Sequence, residues 1–280
     1  MQFGSYKLDV LSDGRIWLDG GAMFGVVPKP LWSRIIEVDE RNRVPLETHS
    51  LLIRGDQGTI LVETGIGDHY SEKQHEIYKF DFSDRLLDGL SGLGVAPEDV
   101  DVVIQTHLHF DHCGSLVQQS ASGSYGLTFP NAEVFVQKGE WEAAHNPDSR
   151  SAPSYFPADF YKPLGASGKL RLVEGETEVV PGIKVKQMGG HTAHHQGVEV
   201  TQGDEKVIFV GDFIPMTRHI NIAYSMGFDV LPIRTVEHKE AFLPQAADND
   251  WTIVFVHDPD TPAAKVRRDG RKWTTEAVTI

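Results

Sequence analysis

Seven short runs rich in β-branched and apolar residues recur along this chain, each closed by turn chemistry. They are SLLIRG (50–55), GTILVETG (58–65), DVDVVIQT (99–106), AEVFVQ (132–137), IKVKQMGG (183–190), KVIFVGD (206–212) and WTIVFVHD (251–258). Runs of this kind read as strands. Helical patterns lie between them at 84–94, 138–145 and 235–247. Strands and helices therefore mix, as in an α/β or α+β architecture with substantial sheet. Asp269-Gly270 signals a hairpin, and 118–126 and 146–154 read as surface loops. With no repeat at fixed period and no convincing linker, residues 1–280 are expected to form one domain.

Charge and composition narrow the partners. A formal net charge of −14 works against polyanion binding, which needs Lys and Arg to neutralise phosphates, and against acidic membrane surfaces. The start, MQFGSYKLDVLSDG, shows no basic segment leading into an apolar one, and no run approaches the ~18 apolar residues of a membrane span. The single cysteine, Cys113, has no intramolecular disulfide partner. A cytoplasmic location is the expectation, with neither nucleic acid nor membrane as partner.

HLHFDH, residues 107–112, crowds three imidazoles and a carboxylate together directly after an apolar run. In an extended strand His107 and His109 share a face, roughly 6–7 Å apart, with Asp111 on that face and His112 on the other. A helix would instead pair His107 with Asp111 and His109 with His112. The β-branched residues just before favour a strand that ends in a ligand-bearing loop. The chain has 13 histidines, most of which need no special role. Position sets some apart: His191 follows one predicted strand, Asp212 ends another and His257 ends a third, the way a fold gathers a site from distant sequence.

The HxHxDH block, the later GGHT, the GD at 211–212 and the HD at 257–258 together resemble the metallo-β-lactamase superfamily of metallohydrolases. That resemblance implies an α/β fold, an αββα sandwich with its metal site at one edge. It implies two divalent metal ions, with His107, His109 and His191 on the first, Asp111, His112 and His257 on the second, and Asp212 bridging. All-N/O ligation suits Zn²⁺ and is compatible with Mn²⁺, Fe or Co²⁺. His109 stands where flavodiiron oxygen reductases carry glutamate, which argues for hydrolysis over redox chemistry. ETG (63–65) replaces the DTG frequent in the family. Two ions neutralised in part by Asp111 and Asp212 keep residual positive charge and hold hydroxide near neutral pH, for attack on a polarised carbonyl or phosphoryl centre. Asp111 is the candidate general acid for the leaving alkoxide.

The stretches 19–32 and 211–235 resemble the branch of quorum-quenching lactonases, which makes an N-acyl-homoserine lactone the leading substrate and implies a homodimer. Met23 and Phe24, with Val26 and Val27, sit in a glycine-rich segment that either lines an acyl-chain pocket or tucks into the core. Phe213 and His219 are further candidate substrate contacts, because Pro215 stands where the lactonases place a tyrosine. His194 and His195 either orient ligands or serve local structure. His49 and Trp32, Trp141 and Trp251 read as structural, and Cys113, followed by Gly114, as a tightly packed small hydrophobe. Alternatives on the same site are organophosphate, aryl-ester or thioester hydrolysis; a non-catalytic metal-binding protein is the alternative of a different class.

Overall fold

A computed structural model of the chain describes residues 1–119, 123–270 and 272–280. Seven strands form the first sheet, in the order β1 (Gln2–Phe3), β2 (Tyr6–Asp19), β3 (Arg43–Gly55), β4 (Gly58–Val62), β5 (Val102–Ile104), β8 (Glu133–Gln137) and β9 (Leu170–Val173). Strands β6 (Val117–Gln119) and β7 (Tyr125–Leu127) pair as a separate ribbon. The second sheet runs in chain order: β10 (Thr177–Val180), β11 (Ile183–Gln187), β12 (Gln196–Gln202), β13 (Glu205–Phe209), β14 (Thr252–Val254), β15 (Ala263–Asp269) and β16 (Lys272–Ala277).

Alternation along the central strands shows why the apolar runs are continuous rather than every second residue. Leu51 and Ile53, Ile60 and Val62, and Val102 and Ile104 face the second sheet, meeting Val185, Val198, Val207, Phe209 and Val254. The residues between them, Leu52, Leu61 and Val103, face outward into another cluster with Leu86, Leu90, Phe160 and Leu164. Ile208, Ile253 and Phe255 likewise face outward, onto Phe242, Leu243 and Ala246. A strand covered on both faces has no solvent side to make polar.

The covering helices complete an αββα sandwich, as the resemblance implies. Against the first sheet lie α4 (Leu86–Gly92), α6 (Lys138–His145) and α7 (Ala158–Ala166); α8 (Pro232–Asp248) covers the second. Leu86 and Leu90 fall one turn apart on the buried face of α4, and Pro232 opens α8 where no helical N–H is needed. Four further helices lie toward the edge where the site is. They are α1 (Gly20–Phe24), α2 (Lys29–Trp32), α3 (Glu72–Tyr78), capped by Ser71 and Gln74, and α5 (Phe110–Cys113). Among the described residues no helix is long and apolar enough to cross a membrane.

The hairpin expected at Asp269-Gly270 joins β15 to β16, and Arg271 lies outside the described residues. Of the loop expected at 118–126, residues 120–122 lie outside them, and the flanks form the β6–β7 ribbon instead. The segment 19–32 is not an open loop: α1 and α2 bury Met23, Phe24, Val27 and Trp32, leaving Val26 86% exposed.

Candidate metal centre and adjoining cavity

Strand β5 stops at Ile104, and the chain runs on through His107 without helix or strand until His109 makes a single bridge to Tyr155. Helix α5 then turns Asp111 and His112 inward. His191 lies between β11 and β12, Asp212 in a 3-10 turn after β13, and His257 just beyond β14. All seven residues are at least 93% buried, the most exposed being His109 at 7%.

Two groups of donor atoms result, His107 with His109 and His191, and Asp111 with His112 and His257; within each, the atoms lie within 4.8 Å of one another. Asp212 stands between them. Its Oδ2 is 3.2 Å from His191 Nε2, and its Oδ1 is 3.1 Å from His257 Nε2. The latter contact lacks hydrogen-bond geometry, so Oδ1 remains an orphaned buried acceptor, as do the Nε2 atoms of His107 and His109. Orphaned polar atoms in such a place are costly unless an ion completes them. The donor set thus fits divalent cations.

The far nitrogens explain how the imidazoles are aimed. Nδ1 of His257 donates to the Glu47 carbonyl at 2.7 Å, and Nδ1 of His191 donates to Asp229 Oδ1 at 3.2 Å. His107 Nδ1 meets Thr106 Oγ1 at 3.0 Å, and His112 Nδ1 lies 3.3 Å from Glu63 Oε2. Each contact leaves Nε2 facing inward. Glu63, His107 and His112 form a third donor group, but Glu63 reaches His112 from behind and its Oε1 accepts from the Thr106 N–H. Its contact with Nδ1 of His112 lacks hydrogen-bond geometry, and Glu63 stands behind the donors, on the side of His112 turned away from the other imidazoles.

Electrostatics divides the histidines. Burial, then neighbouring imidazoles, holds His107 and His109 well below the ordinary value, in the neutral form that ligates metal. Burial also pulls His112 down, yet Asp111, Asp212 and Glu63 outweigh it and raise the group well above 6.5. Asp212 is desolvated, but His257, His191 and His112 overcome that and keep its carboxyl well below the usual range.

His195 serves the site from behind: its Nε2 accepts from the Asp212 N–H at 3.1 Å, and burial followed by His191 lowers it to about 3. The adjacent Gly211 has φ +52°, and a Cβ there would fall 2.6 Å from that same nitrogen. His194 instead meets Gln187 Nε2 at 3.2 Å and packs over Gly139. His49 is structural, with Nδ1 donating to the Phe255 carbonyl, and Cys113 is buried where a Cβ on Gly114 would collide with Ile66.

Beside the ligands opens a cavity of about 380 Å³, walled by Trp17, Met23, Leu46, Tyr78, Phe110 and Phe228. Of the four expected substrate contacts, Met23 reaches it. Phe24 lies behind, stacked between Trp32 and His219. His219 is buried with Nε2 on the Met23 carbonyl, and burial with Lys239 lowers it to about 4, so it is no donor to the cavity. The 3-10 turn at Asp212 sends Phe213 the other way, onto Phe242. Pro215 holds the site together, its carbonyl accepting from the His257 N–H at 2.9 Å.

Sequence reading passed over Asp229, Arg150 and Tyr78. Asp229 Oδ2 accepts from the Met226 N–H, and Arg150 Nη1 donates to the Asp229 carbonyl, tying the cavity wall to His191. Lys239, from α8, is 1% exposed and donates to the carbonyls of His219 and Tyr224. Burial lowers its amine to about 7, against the opposing pull of Asp229. The contacts that matter carry no spacing signal: His191 lies 38 residues from Asp229, Arg150 79 residues from it, and Lys239 20 and 15 residues from His219 and Tyr224.

Paired donor groups at the edge of a two-sheet sandwich define a metal-binding protein of the αββα class. The chain belongs to the metallo-beta-lactamase superfamily, whose family model matches residues 43–257. An N-acyl homoserine lactonase from a Bacillus species is 30% identical over 157 residues, 52% of this chain and 55% of the relative. The match therefore spans little more than half of that relative's length. A probable metal-dependent hydrolase from Staphylococcus aureus superposes with a TM-score of 0.88 at 33% identity, over all of both chains. AidC, a dizinc quorum-quenching lactonase, superposes with a TM-score of 0.81 at 19% identity, over 100% of this chain and 97% of that one, a likeness of fold alone.

Proposed function

We propose that this protein is a binuclear metal-dependent hydrolase that opens a lactone or related ester, with N-acyl-homoserine lactones first among its substrates. The observation that carries the reading is Asp212, whose carboxylate lies against both donor groups, Oδ2 3.2 Å from His191 Nε2 and Oδ1 3.1 Å from His257 Nε2. His107, His109 and His191 would hold one ion, Asp111, His112 and His257 the other. Bound there, divalent cations supply Lewis acidity and lower the pKa of water, with Zn²⁺ the best match to the ligands.

The chain's own contribution is placement. The apolar wall of Trp17, Met23, Leu46 and Phe110 takes the acyl chain and excludes water. Asp111 borders the cavity, where its carboxyl can pass a proton to the leaving oxygen. The aromatic share of the wall favours a second reading, in which an aryl ester or aryl phosphotriester occupies the same space.

The test is metal analysis of the purified protein, then turnover of acyl-homoserine lactones, aryl esters, a thioester and a phosphotriester. Faster turnover of lactones than of the other classes is expected. Phosphotriesters turning over well while lactones stay intact would sink the lactonase reading and leave the hydrolase one.

A further inference from the structure

Outside the donor groups, the cavity's charged side chains already have partners. Asp19 accepts from the Ala22 N–H and the Asn42 amide, Arg43 is paired with Asp39, and Arg150 is spent on main-chain carbonyls. Tyr78 differs. It lines the cavity, yet its hydroxyl has no hydrogen-bond partner among the described residues. Its ring is fixed, stacked on Phe110 at 5.1 Å with 29° between planes and edged by Phe80 at 5.7 Å. The helix end that carries it is pinned, since Arg43 Nη1 donates to the carbonyls of Glu76 and Ile77 at 3.0 and 2.9 Å. Burial and then the Asp111 charge raise the phenol above its ordinary value, so it stays a donor.

A fixed, unpaired donor in an apolar wall is a recognition element: it rewards a ligand acceptor placed opposite and penalises a ligand without one. The scissile carbonyl belongs at the ligand cluster, whereas Tyr78 stands on the α3 wall beyond Phe110. We propose that the Tyr78 hydroxyl donates to a substrate carbonyl oxygen outside the scissile bond, which selects acylamino lactones over simple alkyl lactones. This rests on the lactone-hydrolase reading above.

Tyr78→Phe removes the hydroxyl and keeps the ring. The zinc-loaded variant is compared with wild type on N-hexanoyl-homoserine lactone and on γ-decalactone, which has a comparable chain but no amide. The expected result is a roughly tenfold loss of kcat/KM on the acylamino lactone, the scale of one hydrogen bond, with less than twofold change on the alkyl lactone and unchanged zinc content. Equal losses on both lactones, or none on either, overturn the assignment while the hydrolase reading stands. Calorimetric titration with N-hexanoyl-homoserine lactam, which keeps both carbonyls but resists opening, repeats the comparison without turnover. Tenfold weaker lactam binding to the variant supports the donor role even where no lactone is opened, an outcome that would discard the lactonase reading alone; equal lactam binding removes the donor role.

Discussion

Asp229 Oδ1 lies 3.2 Å from Nδ1 of His191, and both side chains are buried. This carboxylate fixes which imidazole nitrogen faces the donor cluster, and its other oxygen holds the Met226 turn of the cavity wall. Asp229→Ala should weaken zinc affinity by roughly 10–100-fold, the usual cost of losing a partner behind a metal-ligating histidine. Competition against a chromophoric chelator measures it. Wild-type affinity in the variant would show that the contact does not orient His191.

The two donor groups predict separable losses. Wild type should bind about two zinc equivalents, His191→Ala and His257→Ala about one each, and Asp212→Ala fewer than one, because the Asp212 carboxylate lies against both groups. Mass-spectrometric metal content per chain decides this. Loss of both equivalents in either histidine variant would point to a single cooperative site.

Metal should stabilise the fold strongly, since the donors are buried and incompletely hydrogen-bonded without it. At a thousandfold excess over Kd the linkage is worth about 4 kcal/mol, on the order of 10 °C in Tm for a chain of this size. Thermal unfolding with zinc and with a chelator reads it directly; coincident curves would count against any ion binding here.

Lys239 predicts a pH dependence of stability. Below pH 7 native and unfolded chains both carry its proton, so the cost of burying the charge is constant. Between pH 7 and its ordinary 10.5 the unfolded chain keeps a proton that the native chain has released, and stability rises with pH. Wild type should therefore gain on Lys239→Met by about 1.4 kcal/mol per pH unit across that window. Urea unfolding of both proteins at pH 7 and 9 provides the comparison, and a constant difference would show that the amine stays charged.

The central strands were legible because burial on both faces writes an uninterrupted apolar run. The candidate ligands stand out in the sequence because metal coordination demands particular side chains, here placed just beyond the ends of those strands. Strand β2 was not, because Ser12-Asp13-Gly14 has the composition of a turn. In the fold those residues form a bulge: the register to β3 shifts between Ser12 and Arg15, and Asp13 turns inward to accept from the N–H groups of Gly67 and Leu86. Phe213 and His219 misled for a related reason. Nearness to Asp212 along the chain does not survive a 3-10 turn, and the cavity wall opposite is supplied by Trp17 and Tyr78, far away in sequence.

The two sheets divide the chain cleanly, one built from residues before Glu174 and the other from residues after Glu176. His107, His109, Asp111 and His112 fall on one side of that boundary and His191, Asp212 and His257 on the other. A backbone cut there would leave two fragments, each with part of both donor groups, so on the proposed reading their complementation should titrate with zinc.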